Sequence, residues 1–364
     1  MAGFFDRIAV PRIAGSQPLT GVESAITARL EQLGYSVELQ RFKTSPRALT
    51  AVALFGAACG WVALTLAPFL VVDLPGWPIL LTGLAAYALA AFLAVGIAGG
   101  MIPLSTAEVE AANVWARRGC SPKFWLVAHS DSKGQGLSLA GRVLAVGVLG
   151  SGLALFTIAL AARAFTPLPW WAAVAPVLLT AVGGAVLSRG AVSNDSPGAV
   201  DNATGVIAAL VAAERLSNRD DVGVLITGAE EFAMAGARAW VAAGRAQGDF
   251  INFDGLDSCG KYRITRHGRR GGATGDRSAK VAVALAVALA EARGELARRG
   301  LPAGVLVDGV VLQKGGMGGA TVSRGGWSTL RVVHTSADSA ERVEIGSALI
   351  AGESAARAVE ALLS

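Results

Sequence analysis

The chain is short of the residues that polar chemistry uses. It has three histidines and three cysteines in 364 residues, and charged residues make up only 16%, against about 25% in an ordinary soluble domain. Cys59, Cys120 and Cys259 are scattered without pair spacing, which excludes a disulfide framework and a thiolate metal site. The formal net charge is +5, but the basic residues are dispersed. Their one run, Arg263, Arg266, Arg269 and Arg270, lies in a Gly-rich stretch without interleaved aromatics. It reads as a solvated loop, and nucleic acid is not expected as a partner. Residues 1–47 lack the apolar segment of a secretory leader and read as folded protein.

Apolar residues are abundant instead. They make up 53% of the chain, and the mean hydropathy is +0.51. Four uncharged stretches, 48–72, 74–106, 143–162 and 164–188, account for this, the last two separated only by Arg163. Each is about as long as the ~20 apolar residues that cross a hydrocarbon core. Trp61, Trp77, Trp170 and Trp171 lie within or beside them, as interfacial aromatics do. The reading is two transmembrane hairpins, 48–105 and 143–188, interrupting one α/β domain made of residues 1–47, 106–142 and 189–364. Buried helices of a soluble protein are the alternative.

The polar remainder alternates helices and strands. Thr20 and Glu23 have capping-box spacing, ahead of Val22, Ile26, Leu30 and Leu33 on one helical face and Gly34 at its end. Residues 36–42 alternate as a strand, and 106–118 look helical. Residues 124–128 and 222–227 are apolar runs of the buried-strand kind, 250–253 and 330–333 read as strands, and 204–216 and 279–299 as helices. Such alternation predicts a doubly wound, mainly parallel sheet.

The remaining acidic and histidine residues fall at predicted strand ends. His129 and Asp131 follow the first apolar strand, Glu230 and Glu231 follow the second, Asp254 ends the third, and His334 follows the last. Asp201 opens a loop-to-helix junction. Open α/β sheets hold ligands at the carboxyl ends of their strands, and imidazole plus carboxylate suits zinc. Two zinc ions need a bridging carboxylate, terminal ligands and one base left free of metal. The inventory assigns His129 and Glu231 to one ion, Asp254 and His334 to the other, Asp201 between them, and Glu230 as the base. Asp131 is placed to accept the second ring N–H of His129. His267 reads as a loop residue, Asp338 as structural, and Tyr262 as near enough in sequence to reach the site.

Five ordered segments carry a family resemblance: AHSD (128–131), AVDNATG (199–205), GAEE (228–231), NFD (252–254) and HTSAD (334–338). Together with PRIAG (11–15) and LGYSV (33–37), they resemble the family-28 metallopeptidases, the co-catalytic di-zinc aminopeptidases with carboxypeptidase and glutaminyl-cyclase relatives. The resemblance implies metal ligands at His129, Asp201, Glu231, Asp254 and His334, catalytic roles for Glu230 and Asp131, two zinc ions, and a peptide substrate. Because His129 and Asp201 must meet on one side of a bilayer, the insert between them has to return as a hairpin. Arg41, Lys43 and Arg47 before the first span favour a cytoplasmic catalytic domain in a four-span cell-membrane protein. The alternatives are a mono-zinc glutaminyl-cyclase-like acyltransferase and a non-catalytic membrane receptor or scaffold that keeps the fold.

Overall fold

The computed structural model describes the chain except residues 105–106, 270, 293–294 and 297–305. The protein divides into two compact units. One comprises Met1–Thr44, Glu108–Gly134 and Ser193–Ser364, the other Ser45–Ala107 and Gln135–Val192.

The first unit is built on a seven-stranded sheet: β1 (Ser36–Thr44), β2 (Val109–Arg117), β3 (Phe124–His129), β4 (Val222–Thr227), β5 (Asp249–Leu256), β6 (Lys261–Arg266) and β7 (Gly318–Gly325). Their spatial order is β1-β2-β4-β3-β5-β7-β6. The four central strands β4, β3, β5 and β7 run parallel, and antiparallel neighbours close both edges. Every residue of β3 and β4 is buried, the condition of parallel strands covered on both faces. On one face Trp115, Trp125 and Phe250 pack with Trp240 of helix Ala235–Ala242 and Leu312 of helix Asp308–Lys314. The indole rings of Trp125 and Trp240 meet edge-on at 5.1 Å. Helix Thr204–Arg215 packs on β3 and β5 and is covered in turn by helix Gly346–Leu363. Its first ten residues are all buried, so it is apolar all round rather than amphipathic.

Several local readings of the sequence are corrected. Residues 106–118, read as a helix, form strand β2 (Thr106 lies outside the described residues). The four alanines of residues 106–118 favour a helix there, but β2 pairs with β1 along its length, Ser36↔Arg117 to Thr44↔Val109, and with β4 at Val114↔Ile226. Sheet pairing outweighs local propensity. The first long helix, Gln17–Gln32, is capped by Ser16, whose Oγ accepts the Leu19 N–H at 3.4 Å, so Thr20 lies inside it and makes no capping box. The expected helix 279–299 is described as Ala273–Glu291, and residues 293–294 and 297–299 of it lie outside the described residues. Arg263 and Arg266 belong to edge strand β6 rather than a loop, whereas Arg270 is outside the described residues.

The most instructive correction concerns the last strand. Residues 330–333 do not form it. A helical turn, Trp327–Leu330, leads into turns ending at His334. The sheet position beside β5 is taken by Gly-rich β7. Glycine is required at Gly319 because a Cβ there would stand 2.5 Å from the Phe250 carbonyl oxygen.

Both interruptions of this unit begin and end at neighbouring points. Thr44 and Val109 are directly paired, and a Cβ on Gly134 would come 2.4 Å from Ser193 Oγ.

The second unit contains four helices, Arg47–Leu66, Gly76–Ala98, Leu139–Arg163 and Trp170–Ser188, each long and apolar enough to cross a membrane. They pack through glycines that let backbones touch. A Cβ on Gly152 would come 2.5 Å from the Thr180 nitrogen, and one on Gly184 2.3 Å from the Gly56 carbonyl oxygen. Several aromatic side chains face outward, Phe165, Trp170 and Trp61 being at least 70% exposed, while Phe156 is buried among the helices. Among the described residues of this unit, Arg163 is the buried charge. It donates to the carbonyls of Phe69, Val72 and Leu74 at 3.0, 2.5 and 2.6 Å.

Candidate metal centre

Parallel register brings the sequence-predicted residues to one edge of the sheet. His129 pairs with Thr227, and Val127 with Asn252, so β3, β4 and β5 end together. His129 is the last residue of β3, Glu230 and Glu231 lie just beyond β4, and Asp254 sits in the final part of β5. The bend carrying the two glutamates holds Ala229, Ala233 and Met234 at φ 54°, 62° and 58°. Left-handed backbone at residues bearing a Cβ costs about 1–3 kcal/mol each and is kept where the surroundings over-determine it. Part of that determination comes from Asp131, whose carboxylate accepts the Glu230 and Glu231 N–H groups at 3.0 and 3.2 Å. The sequence assigned this carboxylate to the His129 ring. The nearer partner of His129 Nδ1 is the Asp131 carbonyl at 3.1 Å, with Oδ1 at 3.6 Å.

Asp201 is held from behind. Asp338 accepts the Val200 and Asp201 N–H groups at 2.7 and 3.2 Å, which gives it the structural part expected of it. Asn202, joined to Asp201 by a cis peptide bond, donates to the Phe253 carbonyl at 2.8 Å and accepts from Gly205 and Gly255. His334 reaches the site from a turn at φ 68° rather than from a strand end.

The donors form two groups sharing Asp201. His129, Asp201 and Asp254 make one, and Asp201, Glu231 and His334 the other, with the ligand atoms of each group within 4.8 Å of one another. Asp201 Oδ1 lies 3.0 Å from His129 Nε2, and Oδ2 lies 3.4 Å from His334 Nε2. Each terminal pair therefore differs from the one assigned by inventory: His129 goes with Asp254, and Glu231 with His334. Two nitrogen–oxygen donor sets around a shared carboxylate fit zinc chemistry. Glu231 Oε1 and His334 Nδ1 are buried without a hydrogen-bond partner, and Oε1 faces His334 Nε2 at 3.2 Å. A buried carboxylate oxygen is ordinarily satisfied, and a cation would satisfy this one.

Electrostatics divide the site. Burial would lower the His129 imidazole, but its hydrogen bonds with Asp131 and Asp201 prevail and hold it well above the ordinary value. His334 is raised against burial by Glu231 and Asp201. Asp201 is pushed below the carboxylate range, its burial outweighed by the two imidazoles. Glu231 falls to about 2, burial being outweighed by Lys133 and His334. Glu230 goes the other way. Burial, then the neighbouring Glu231, Asp308 and Asp254, hold it well above the ordinary carboxyl value despite His129. Burial and Asp201 likewise raise Asp254 to about 7. A proton-accepting carboxylate beside strongly acidic ligands is the division that acid–base chemistry needs.

Three participants escaped the sequence reading. Arg12 is buried and donates to the carbonyls of Ser130 at 2.6 Å, Gly198 at 3.0 Å and Pro197, tying the His129 loop to the Asp201 loop. Asp308 is buried, accepts the Thr227 hydroxyl, and is raised to about 6, mainly by burial. Lys133 lies against Glu231 at 2.6 Å. Arg12 falls in the PRIAG segment, a signal that could have marked it, whereas nothing around Lys133 or Asp308 does. Two other residues lie elsewhere. Tyr262 donates to the Ser347 carbonyl at 2.8 Å inside the core. His267 is buried too, stacked on Phe250 and bonded to Thr321 at 2.8 Å, its pKa lowered by burial to about 4.

Known proteins resemble this chain in part of its sequence and in its fold. The model of peptidase family M28 matches residues 181–359. No curated protein matches the chain in sequence. Among solved structures it is similar to a zinc aminopeptidase from Bacillus subtilis (14% identity, TM-score 0.55, covering 99% of this chain and 94% of that one). It is similar in the same way to an aminopeptidase from Aneurinibacillus sp. (13%, 0.55, 98% and 92%). A glutaminyl cyclase from Porphyromonas gingivalis matches equally well (14%, 0.55, 99% and 96%). The α/β fold with a parallel sheet centre is thus that of the zinc aminopeptidases. The part of the chain at residues 181–359 is, in addition, similar to peptidase family M28.

Proposed function

We propose that the protein is a membrane-anchored di-zinc metallopeptidase that removes N-terminal residues from peptides. The observation that carries this reading is the Asp201 carboxylate, whose two oxygens face His129 on one side and His334 on the other. His129, Asp201 and Asp254 would hold one zinc ion, and Asp201, Glu231 and His334 the second. Zinc there supplies Lewis-acid polarisation of the scissile carbonyl and a water of lowered pKa. Glu230, outside both donor groups and raised in pKa, takes a proton from the attacking water and delivers it to the leaving amine. Asp131 fixes that base by holding its backbone N–H. Burial of Glu230 and Glu231 to 8% and 5% exposure keeps bulk water from competing for the proton.

The four apolar helices support anchoring in the cell membrane as two hairpins, and the basic flank Arg41, Lys43 and Arg47 supports a cytoplasmic catalytic unit. The deciding experiment uses the detergent-purified chain with zinc, assayed on aminoacyl and N-blocked peptides. Cleavage of the free-amine substrates, lost in Glu230→Gln by about 10²–10⁴-fold with zinc content unchanged, is expected. Turnover of blocked peptides alone would defeat the aminopeptidase assignment, and cyclisation of N-terminal glutamine would replace it with an acyltransferase.

A further inference from the structure

The proposed hydrolysis gives Lys133 nothing to do, yet this lysine sits inside the site. Its Nζ lies 2.6 Å from Glu231 Oε2, and the two side chains are 5% and 4% exposed. Lysine is seldom buried this far without a charge partner, and removing either member of such a pair strands the other. Glu231 therefore divides its two oxygens. Oε2 is taken by the ammonium, and Oε1 is left toward His334. Among the described residues, no lysine or arginine makes an ion pair with Asp201 or Asp254, so the other donor group carries no such fixed positive charge.

Resting on the metal reading of this site, we propose that Lys133 makes the two metal positions unequal. Two consequences of its placement point the same way. Glu231 can offer a metal only one oxygen unless the ion pair breaks. A divalent ion at Oε1 would also sit a few ångströms from a tethered positive charge, in surroundings that screen poorly. The His129–Asp201–Asp254 position loads first, and the Asp201–Glu231–His334 position fills only at higher zinc concentration. Lys133 is a positioning residue here. It acts through Glu231, and its effect is on the order and strength of metal loading.

Zinc titration of the metal-stripped full-length chain by calorimetry tests this directly. The expected result is two steps, with affinities separated by about tenfold or more for a unit charge at this range. Lys133→Met tightens the weaker step and closes most of that gap, while Lys133→Arg keeps it. Glu231→Gln removes the weaker step and Asp254→Asn the tighter one. Two indistinguishable steps in the unaltered protein, an unchanged gap in Lys133→Met, or loss of the tighter step in Glu231→Gln would each overturn the proposal. If Lys133→Met does not fold, the loading order read from the other two variants decides alone. Failure of the unaltered chain to bind zinc at all would instead sink the metal reading on which this inference stands.

Discussion

The α/β unit buries His129, Asp131, Lys133, Glu230, Glu231, Asp308, His334 and Asp338 together, with Arg12 behind them. The apolar unit buries Arg163 and fills its remaining interior with small and aliphatic residues around Phe156, while Trp61, Trp77, Trp170 and Trp171 face outward. At the site of the first unit, cohesion depends on charges that satisfy one another. In the second, it depends on how closely helix backbones approach. The difference teaches that a charge-conserving substitution and a size-conserving substitution are tolerated in opposite places.

The comparison can be broken most sharply at Arg12. Arg12→Met leaves the carbonyls of Ser130, Pro197 and Gly198 unpaired beside uncompensated carboxylates, and should cost about 3–5 kcal/mol of stability. A denaturant series on the purified protein that shows less than about 1 kcal/mol would mean that the cluster balances without it. In the apolar unit, Gly152→Leu drives a side chain into the Thr180 backbone and should cost about 1–3 kcal/mol, read as a lower melting temperature in detergent. Arg163→Met should cost somewhat less, about 1–2 kcal/mol, since it removes only a cap on the carbonyls of one turn. Arg163 proving costlier than Arg12 would reverse the comparison.

A further expected effect is a pH slope. His129 and His334 are raised above the ordinary imidazole value, so the metal-free site keeps its imidazolium protons to higher pH, and zinc must displace them. Apparent zinc affinity should therefore rise with pH toward the raised values and fall as pH drops, by about tenfold per pH unit for each proton released. The sign for folding is opposite. The His129–Asp201 pair stabilises the metal-free protein at low pH and loses that contribution as pH rises through the folded-state value. Zinc affinity measured from pH 6 upward that stays flat would show the imidazoles already neutral.

What was legible in the sequence follows from how strongly each signal is local. The buried strands β3 and β4 declare themselves because both faces are covered and apolar residues run unbroken. His129, Glu230, Glu231 and Asp254 are legible because they punctuate strand ends, whereas the turn that delivers His334 carries no such mark. Strand β7 was hidden, since its Gly319 is chosen by Phe250 of the neighbouring strand and its glycines carry no strand signature of their own. The alanines of β2 spoke for a helix that sheet pairing overrides. Lys133 and Asp308 are isolated letters whose meaning arises only when Glu231 and Thr227 come alongside. The same is true of the terminal pairing, because inventory counts donors but does not say which carboxylate faces which imidazole.

The direct pairing of Thr44 with Val109, and the contact between Gly134 and Ser193, carry a consequence for engineering. Directly opposed strand residues stand only about 5 Å apart, a gap that a two-residue hairpin turn bridges. Each apolar segment is thus a detachable cassette. A short turn such as Asn-Gly could replace 45–107, and a comparably short link could replace 135–192, without severing any strand of the sheet. The shortened polypeptide would be a water-soluble surrogate in which peptide hydrolysis could be assayed free of detergent. It would also show whether the four apolar helices contribute to turnover at all.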